Sequence, residues 1–94
     1  ILNNGFLGMV RQWQELFFKK RYSMVEIQSP DFVAVAKGFY LEASRVEKRD
    51  ELDRALKRML AHKGHYVLEI KVEMEDNVFP MIPTGASVSE IRLE

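Results

Sequence analysis

The sequence contains no cysteine. It therefore has no disulfide framework and no thiolate metal site, and a cysteine-free chain suits a reducing compartment, with the cytoplasm as the expectation. Net charge is missing too: 14 lysines and arginines balance 14 aspartates and glutamates. No overall field draws such a chain to nucleic acid or to an anionic membrane. No apolar run approaches the roughly 20 residues that span a bilayer. Repeats, low-complexity stretches and a signal-peptide pattern of basic residues before an apolar run are all absent. So is an initiator methionine. The chain opens on Ile1-Leu2-Asn3-Asn4-Gly5 and reads as though it starts at the end of a buried strand, as part of something longer.

What is present is the composition of a folded protein. Hydrophobic residues make up 47% and charged residues 30% of 94 positions, enough for one small, marginally stable core. Asn3-Asn4-Gly5 is a turn signal. Behind it, Phe6, Met9, Val10, Trp13, Leu16 and Phe17 recur at intervals of three and four, the mark of one helix face. Lys19-Lys20-Arg21 then supplies cations suited to the negative end of the helix dipole. Tyr22 to Gln28 reads as a loop or short extended segment. Ser29-Pro30-Asp31 starts a second helix, with Ser29 as N-cap and Pro30 in the first turn, ending near Gly38. Tyr40 to Val46 reads as a strand and Asp50 to Ala61 as a helix with Leu52, Ala55, Leu56, Met59 and Leu60 on one face. Lys63-Gly64 is a helix stop, His65 to Val72 a nearly continuous apolar strand, and the stretch from Glu75 onward, with Pro80, Pro83 and Gly85, irregular.

Alternating strands and helices predict an α/β fold with a parallel sheet. Such sheets take ligands in the loops beyond the carboxyl ends of their strands, where Asn3-Asn4-Gly5 stands. Residue by residue the bland readings come first. Asn3-Asn4-Gly5 alone is a turn or cap, and the Phe6–Phe17 stripe is chiefly a core face whose exposed end meets ligand. His62 and His65 flank a turn without a third metal ligand. Glu73, Glu75 and Asp76 form a solvated strand end. A second functional reading treats the amphipathic Phe6–Phe17 helix, with Arg11, Lys19, Lys20 and Arg21 beside it, as the contact face of a non-catalytic interaction module.

A larger pattern overlies these. The run Leu2-Asn3-Asn4-Gly5-Phe6-Leu7-Gly8-Met9-Val10-Arg11-Gln12-Trp13-Gln14 continues through Phe17, Arg21-Tyr22-Ser23 and Pro30-Asp31-Phe32. It picks up again at Arg45-Val46 and closes with Asn77-Val78-Phe79-Pro80-Met81-Ile82-Pro83-Thr84-Gly85. In this order the blocks closely resemble the large catalytic subunit of acetohydroxyacid (acetolactate) synthases, beginning at the Asn-Asn that ends their thiamine-diphosphate motif. The implied fold is the C-terminal half of a parallel-sheet, Rossmann-like thiamine-diphosphate-binding domain over residues 1–74, with an irregular C-terminal arm over 75–94.

The resemblance also implies the chemistry. It expects thiamine diphosphate held through Mg²⁺, a hard cation that takes oxygen ligands and shares them with phosphates. Asn4 would offer its side-chain oxygen and Phe6 its backbone carbonyl to the metal. Gly8, Met9 and Val10 would lie against the cofactor, with Met9 and Val10 beside the thiazolium ring. Met9, Val10 and Trp13 would meet substrate, Trp13 forming an aromatic wall that favours a larger second 2-keto acid over pyruvate. Met81 to Gly85 resembles the arm that closes the entrance. The implied reaction decarboxylates pyruvate and ligates the two-carbon unit to a second 2-keto acid, on the route to branched-chain amino acids. No residue of the chain is a general acid or base. The family's Gly-Asp-Gly aspartate and the glutamate that activates the cofactor have no counterpart here, so the isolated chain is expected to be inactive and to self-associate through exposed apolar surface. The implied partners are the rest of the catalytic subunit, further copies in a homo-oligomer, and room for a regulatory subunit. FAD of the biosynthetic branch would bind elsewhere.

Overall fold

The computed structural model describes residues 1–94. In chain order its elements are β1 (Leu2–Asn3), α1 (Gly8–Phe18), α2 (Phe32–Gly38), β2 (Glu42–Val46), α3 (Leu52–Ala61) and β3 (Tyr66–Lys71), with 3-10 turns at Arg49–Glu51 and Val88–Glu90. They fall into two compact units. One comprises residues 1–6 and 26–74, the other residues 7–25 and 75–94.

The first unit is built on a three-stranded sheet of order β1-β3-β2, parallel throughout. The α/β fold with a parallel sheet read from the sequence is therefore the one observed. β3 is central because it is the most apolar strand, and a strand covered on both faces needs little alternation. Its register pairs Leu2 with Ile70 on one side and Ala43 with Val67 on the other. Ala36, Ala43, Val46 and Leu68 form the buried apolar core. Tyr66 Oη donates to Ser44 Oγ at 2.8 Å or accepts from it, cross-linking β3 and β2.

Local chemistry moves some boundaries. α2 is capped by Asp31 rather than Ser29: Asp31 Oδ1 accepts from the amides of Val33 and Ala34, both at 3.1 Å. Pro30 therefore precedes the cap instead of filling the first turn, and a carboxylate is as good a cap as a hydroxyl. The far end of α2 is closed by Tyr40 with φ 60°. Tyr40 N–H donates to Lys37 O at 2.9 Å and Leu41 N–H to Ala36 O at 3.0 Å, the bond pair of a Schellman ending in which glycine is usual at the left-handed position. This is why β2 begins at Glu42 and not at Tyr40. α3 carries the Asp53–Lys57 pair at 2.7 Å and stops before Gly64, whose φ of 134° suits glycine.

Glu69 breaks the apolar run of β3 and is wholly buried. Asn3 Nδ2 donates to its Oε1 at 2.8 Å and Arg45 Nε to its Oε2 at 2.6 Å, while Lys71 Nζ lies 3.2 Å from Oε1. Arg45 continues to Asp31 Oδ1 at 2.8 Å, so one chain of ion pairs joins β3, β2 and the cap of α2, with Asn3 adding β1 through a neutral amide. Burial alone would push the Glu69 carboxyl up. The bonds from Asn3, Arg45 and Lys71 outweigh it and hold the carboxyl at about 2.

The second unit centres on α1 and the 75–94 stretch. α1 departs from the core face expected of it. Its buried residues are Arg11 and Gln12, while Met9, Val10, Trp13, Phe17 and Phe18 are exposed by two fifths or more. The two polar side chains take the inner positions because all of their donors and acceptors except Arg11 Nε are met there, by the Asp76 and Val78 backbone and by Glu15, Tyr22 and Asn77. No helix of the chain is long and apolar enough to cross a membrane.

The depressed Glu69 carboxyl fixes a pH dependence. A carboxylate whose pKa falls on folding adds stability above its unfolded value, and that stability is lost as pH drops through the folded value. The thermal midpoint of the chain should therefore fall as pH is lowered from about 4.5 towards about 2, read by circular dichroism. Glu69→Gln should flatten that slope and, at neutral pH, cost about 3 kcal/mol because it strips a buried charge pair of one partner. An unchanged slope in the variant would show that other carboxylates set it.

Candidate functional site

The first candidate lies where the strands of the first unit end. A cavity of about 470 Å³ is lined by Asn3, Asn4 and Gly5 after β1, by Glu47 after β2, and by Lys71, Val72, Glu73 and Met74 at and after the end of β3. This is the crevice beyond the carboxyl ends of parallel strands in which α/β sheets take ligands.

The turn that borders it is built in two overlapping steps. Asn3 Oδ1 accepts from Gly5 N–H at 3.0 Å, and Asn4 Oδ1 accepts from Phe6 N–H at 3.1 Å. Each is a side-chain-to-backbone bond two residues on, the local geometry asparagine favours. Gly5 takes φ 72° to let the chain turn, and a methyl added there would meet no atom within 4 Å; the backbone angle, not space, asks for glycine. Asn3 is itself fixed from behind, since its amide nitrogen is the one bound by Glu69. Phe6 bridges to Glu26 in antiparallel fashion, with Leu7 N–H bonded to Val25 O at 2.8 Å and Ile27 N–H to Gly5 O at 2.7 Å. In that alternation the Phe6 amide and carbonyl point away from the facing segment. Asn4 and Phe6, the two residues marked for metal from the sequence, are thus joined by one turn and half-buried. No group of three or more histidines, acids or cysteines converges in the manner of a metal cluster.

The remaining sequence candidates sit on α1 in the second unit. Gly8 opens the helix. Met9 and Trp13 share a cavity of about 420 Å³ with Phe17, Phe18 and the Met81–Thr84 segment. Val10 is exposed and outside that lining. Arg92 closes over Phe17, its guanidinium carbon 5.3 Å from the ring centre, a cation–π distance. Met81 and Arg92 exchange backbone bonds of 2.9 and 2.8 Å. Trp13 is 45% exposed, an apolar surface turned to a cavity rather than to a core. His62 packs edge-on against Tyr66, ring centres 5.4 Å apart.

Sequence reasoning did not foresee the burial of three polar residues, Glu69 in the first unit and Arg11 and Gln12 in the second. Glu69 carried a signal as the sole acid in an apolar strand. Arg11 carried a signal in Glu15 four residues on, which it meets at 2.6 Å. Burial works against the Arg11 charge, yet bonds to Glu15 and Tyr22 outweigh it and raise its pKa further, while Glu15 is lowered chiefly by Arg11. Gln12 had no signal of its own beside Trp13.

Comparison with known proteins bears on these positions together. Residues 1–70 match the model of the thiamine pyrophosphate enzyme C-terminal TPP-binding domain. The chain is 41% identical over 92 residues to the acetolactate synthase isozyme 2 large subunit of Escherichia coli, covering 97% of this chain and 17% of that protein. It is 42% identical over 90 residues to the mitochondrial acetolactate synthase catalytic subunit of Saccharomyces cerevisiae, covering 96% and 13%. Against the chloroplastic acetolactate synthase 2 of Zea mays it is 40% identical over 102 aligned residues, covering all of the chain and 16% of the relative. The chain thus spans about one sixth of the length of the relatives it matches. With a family model matched over residues 1–70 of 94, it belongs to the thiamine pyrophosphate enzymes, as part of their C-terminal TPP-binding domain.

Proposed function

We propose that this chain supplies part of the cofactor and substrate site of an acetolactate synthase, an enzyme that decarboxylates pyruvate and joins the two-carbon unit to a second 2-keto acid. The observation that carries this reading is the roughly 40% identity to acetolactate synthases along nearly the whole chain, with the Asn4–Phe6 turn standing at the carboxyl end of a parallel strand. Residues 1–74 would be the C-terminal part of the binding domain and 75–94 its arm.

The residues present fit the expected group in kind. The amide oxygen of Asn4 and the carbonyl of Phe6 are neutral oxygen donors, the type Mg²⁺ accepts when phosphate oxygens complete its shell. Because Phe6 would contribute backbone alone, its side chain is free to pack. Asn4 already accepts from Phe6 N–H through Oδ1, so the same short turn holds both oxygens in relation to one another before any ion arrives, which is the preorganisation a metal site needs. Gly8 opens α1 without a side chain, leaving backbone close to whatever occupies the space before the helix. Met9 and Val10 would give an apolar surface beside the cofactor ring, and Met9 with Trp13 the wall for the incoming 2-keto acid, where an apolar wall excludes water. Thiamine diphosphate, when bound, supplies the carbanion chemistry. The protein's share is binding, orientation and shielding, and nothing among these side chains is placed to act as a general acid or base. FAD, the further copies of a homo-oligomer and any regulatory subunit belong to this reading outside the 94 residues, as does a cytoplasmic location. The interaction-module alternative draws on the same exposed stripe of α1, but Met9, Trp13, Phe17 and Phe18 already share a cavity of ligand size.

Two experiments test the reading. The purified chain, given pyruvate, Mg²⁺ and thiamine diphosphate, should form no acetolactate, because the family's metal-binding aspartate and its activating glutamate have no counterpart among these residues; detectable turnover would overturn this. An enzyme that carries this chain together with a Gly-Asp-Gly segment should form acetolactate, and Asn4→Ala in it should raise the Mg²⁺ concentration for half-activity by roughly tenfold or more. An unaltered Mg²⁺ requirement would remove Asn4 from the ligand set.

A further inference from the structure

The second unit poses a puzzle of placement. Segment 75–94 has almost no regular structure: one 3-10 turn and the single bridge between Met81 and Arg92. No ladder therefore sets its register along α1. Yet Met81–Thr84 forms the wall of the cavity that Trp13 lines, and a slip of one residue would change that wall entirely.

What fixes the register is side chain to backbone. Gln12 grips Val78 from both sides: its Nε2 donates to Val78 O at 3.0 Å, and its Oε1 accepts from Val78 N–H at 2.8 Å. The same Nε2 lies 3.1 Å from Met81 Sδ. One residue earlier, Arg11 Nη2 donates to Asp76 O at 3.1 Å and to Asn77 Oδ1 at 2.5 Å. Asn77 Nδ2 returns to Glu15 Oε2 at 3.2 Å. Arg11 is 0% and Gln12 1% exposed, so these part-buried bonds are screened from water on the helix side.

Stability alone would not choose this solution. Arg11 Nε has no hydrogen-bond partner, and a buried donor left unmet is a net cost. Apolar side chains of similar volume would bury without that cost. What polar groups add is direction, since a two-sided amide clasp is satisfied at one residue and at no neighbour.

We propose that Arg11 and Gln12 are positioning residues that lock the 76–81 segment to α1 in a single register, and so fix the cavity wall facing Trp13 and the size of ligand the cavity admits. The identity of that ligand as a 2-keto acid rests on the function proposed above; the positioning itself does not. Gln12 acts through Met81. Its amide orients the thioether, and the Met81 backbone is in turn tied to Arg92, so the register set at Val78 passes to the Met81 end of the wall and on to Arg92.

Trp13 is the only tryptophan and reports on the cavity directly. In the 94-residue chain, Gln12→Leu should raise acrylamide quenching of Trp13 at least about twofold and speed hydrogen exchange at the Met81 and Arg92 amides, which Gln12 does not bind, by roughly tenfold through local opening. Gln14→Ala is the control. Gln14 clasps Ser23 in the same two-sided way, at 2.8 and 3.0 Å, so its loss should leave Trp13 quenching and Met81 exchange unchanged. If both variants move these readouts equally, or Gln12→Leu moves neither, the proposal fails. Should Gln12→Leu not fold, Gln12→Glu carries the test: it keeps the acceptor for Val78 N–H and lacks the donor, and should give a smaller shift in the same direction. In an acetolactate-forming enzyme carrying the chain, Gln12→Leu should reduce discrimination between a larger second 2-keto acid and pyruvate by roughly fivefold, through KM and not kcat. Absence of that activity in the unsubstituted enzyme would sink the proposed function while leaving the Trp13 result to decide the positioning.

Discussion

Glu69 has no access to water, yet it stays charged because Asn3, Arg45 and Lys71 supply what water would. Taking a carboxylate out of water costs several kcal/mol unless its oxygens are met by good donors. That requirement organises the first unit. Both oxygens are engaged, one by Asn3 from β1 and the other by Arg45 from β2, so the two outer strands are each tied to the central one by a charge-assisted bond as well as by the ladder. Since β1 is only two residues long, the Asn3 side-chain tie adds to a short set of backbone bonds. The same tie supports the Asn3-Asn4-Gly5 turn, because donating its amide nitrogen to Glu69 orients Asn3 with its oxygen towards the Gly5 N–H.

The second unit meets the same difficulty with opposite charge. Arg11 is buried on a helix whose apolar residues face outward, and its bonds go to Glu15, Tyr22, Asp76 and Asn77. The usual assignment of polar residues to the surface and apolar ones to the core is inverted along α1. An inverted helix is understandable where the apolar face has a cavity to line, for a surface that must receive an apolar group cannot also be spent on packing.

Much of the architecture was legible. Parallel α/β organisation followed from the alternation of elements, and the strand Tyr66–Lys71 from the nearly continuous apolar run of Tyr66, Val67, Leu68 and Ile70; that it would be the central strand did not. Periodicity located α1 and α3 to within a residue or two. The cap at Asp31 in place of Ser29 was hidden because Ser-Pro-Asp offers two good caps, and the choice depends on Arg45, fourteen residues away in sequence. The left-handed Tyr40 was hidden because glycine is the usual signal and Gly38 stood nearby. Motif resemblance marked Asn4, Phe6, Met9 and Trp13. It ran through Arg11 and Gln12 without assigning them a role and did not reach Glu69, since the long-range bonds by which these side chains hold other parts of the chain leave no pattern in spacing. The inverted face of α1 could not be read from periodicity, which finds the stripe but not the side it turns to.

The bridge between Met81 and Arg92 joins the two ends of a surface excursion that passes through Gly85 and the Ser87–Glu90 capping box. Both ends are anchored independently of what lies between them: Met81 near Gln12, Arg92 over the ring of Phe17. Lengthening a loop whose ends are already held costs little, because closure entropy grows only with the logarithm of length. Residues 85–90 are consequently a natural place for insertion: an epitope or a fluorescent label could be grafted there without disturbing the wall that Met81 begins.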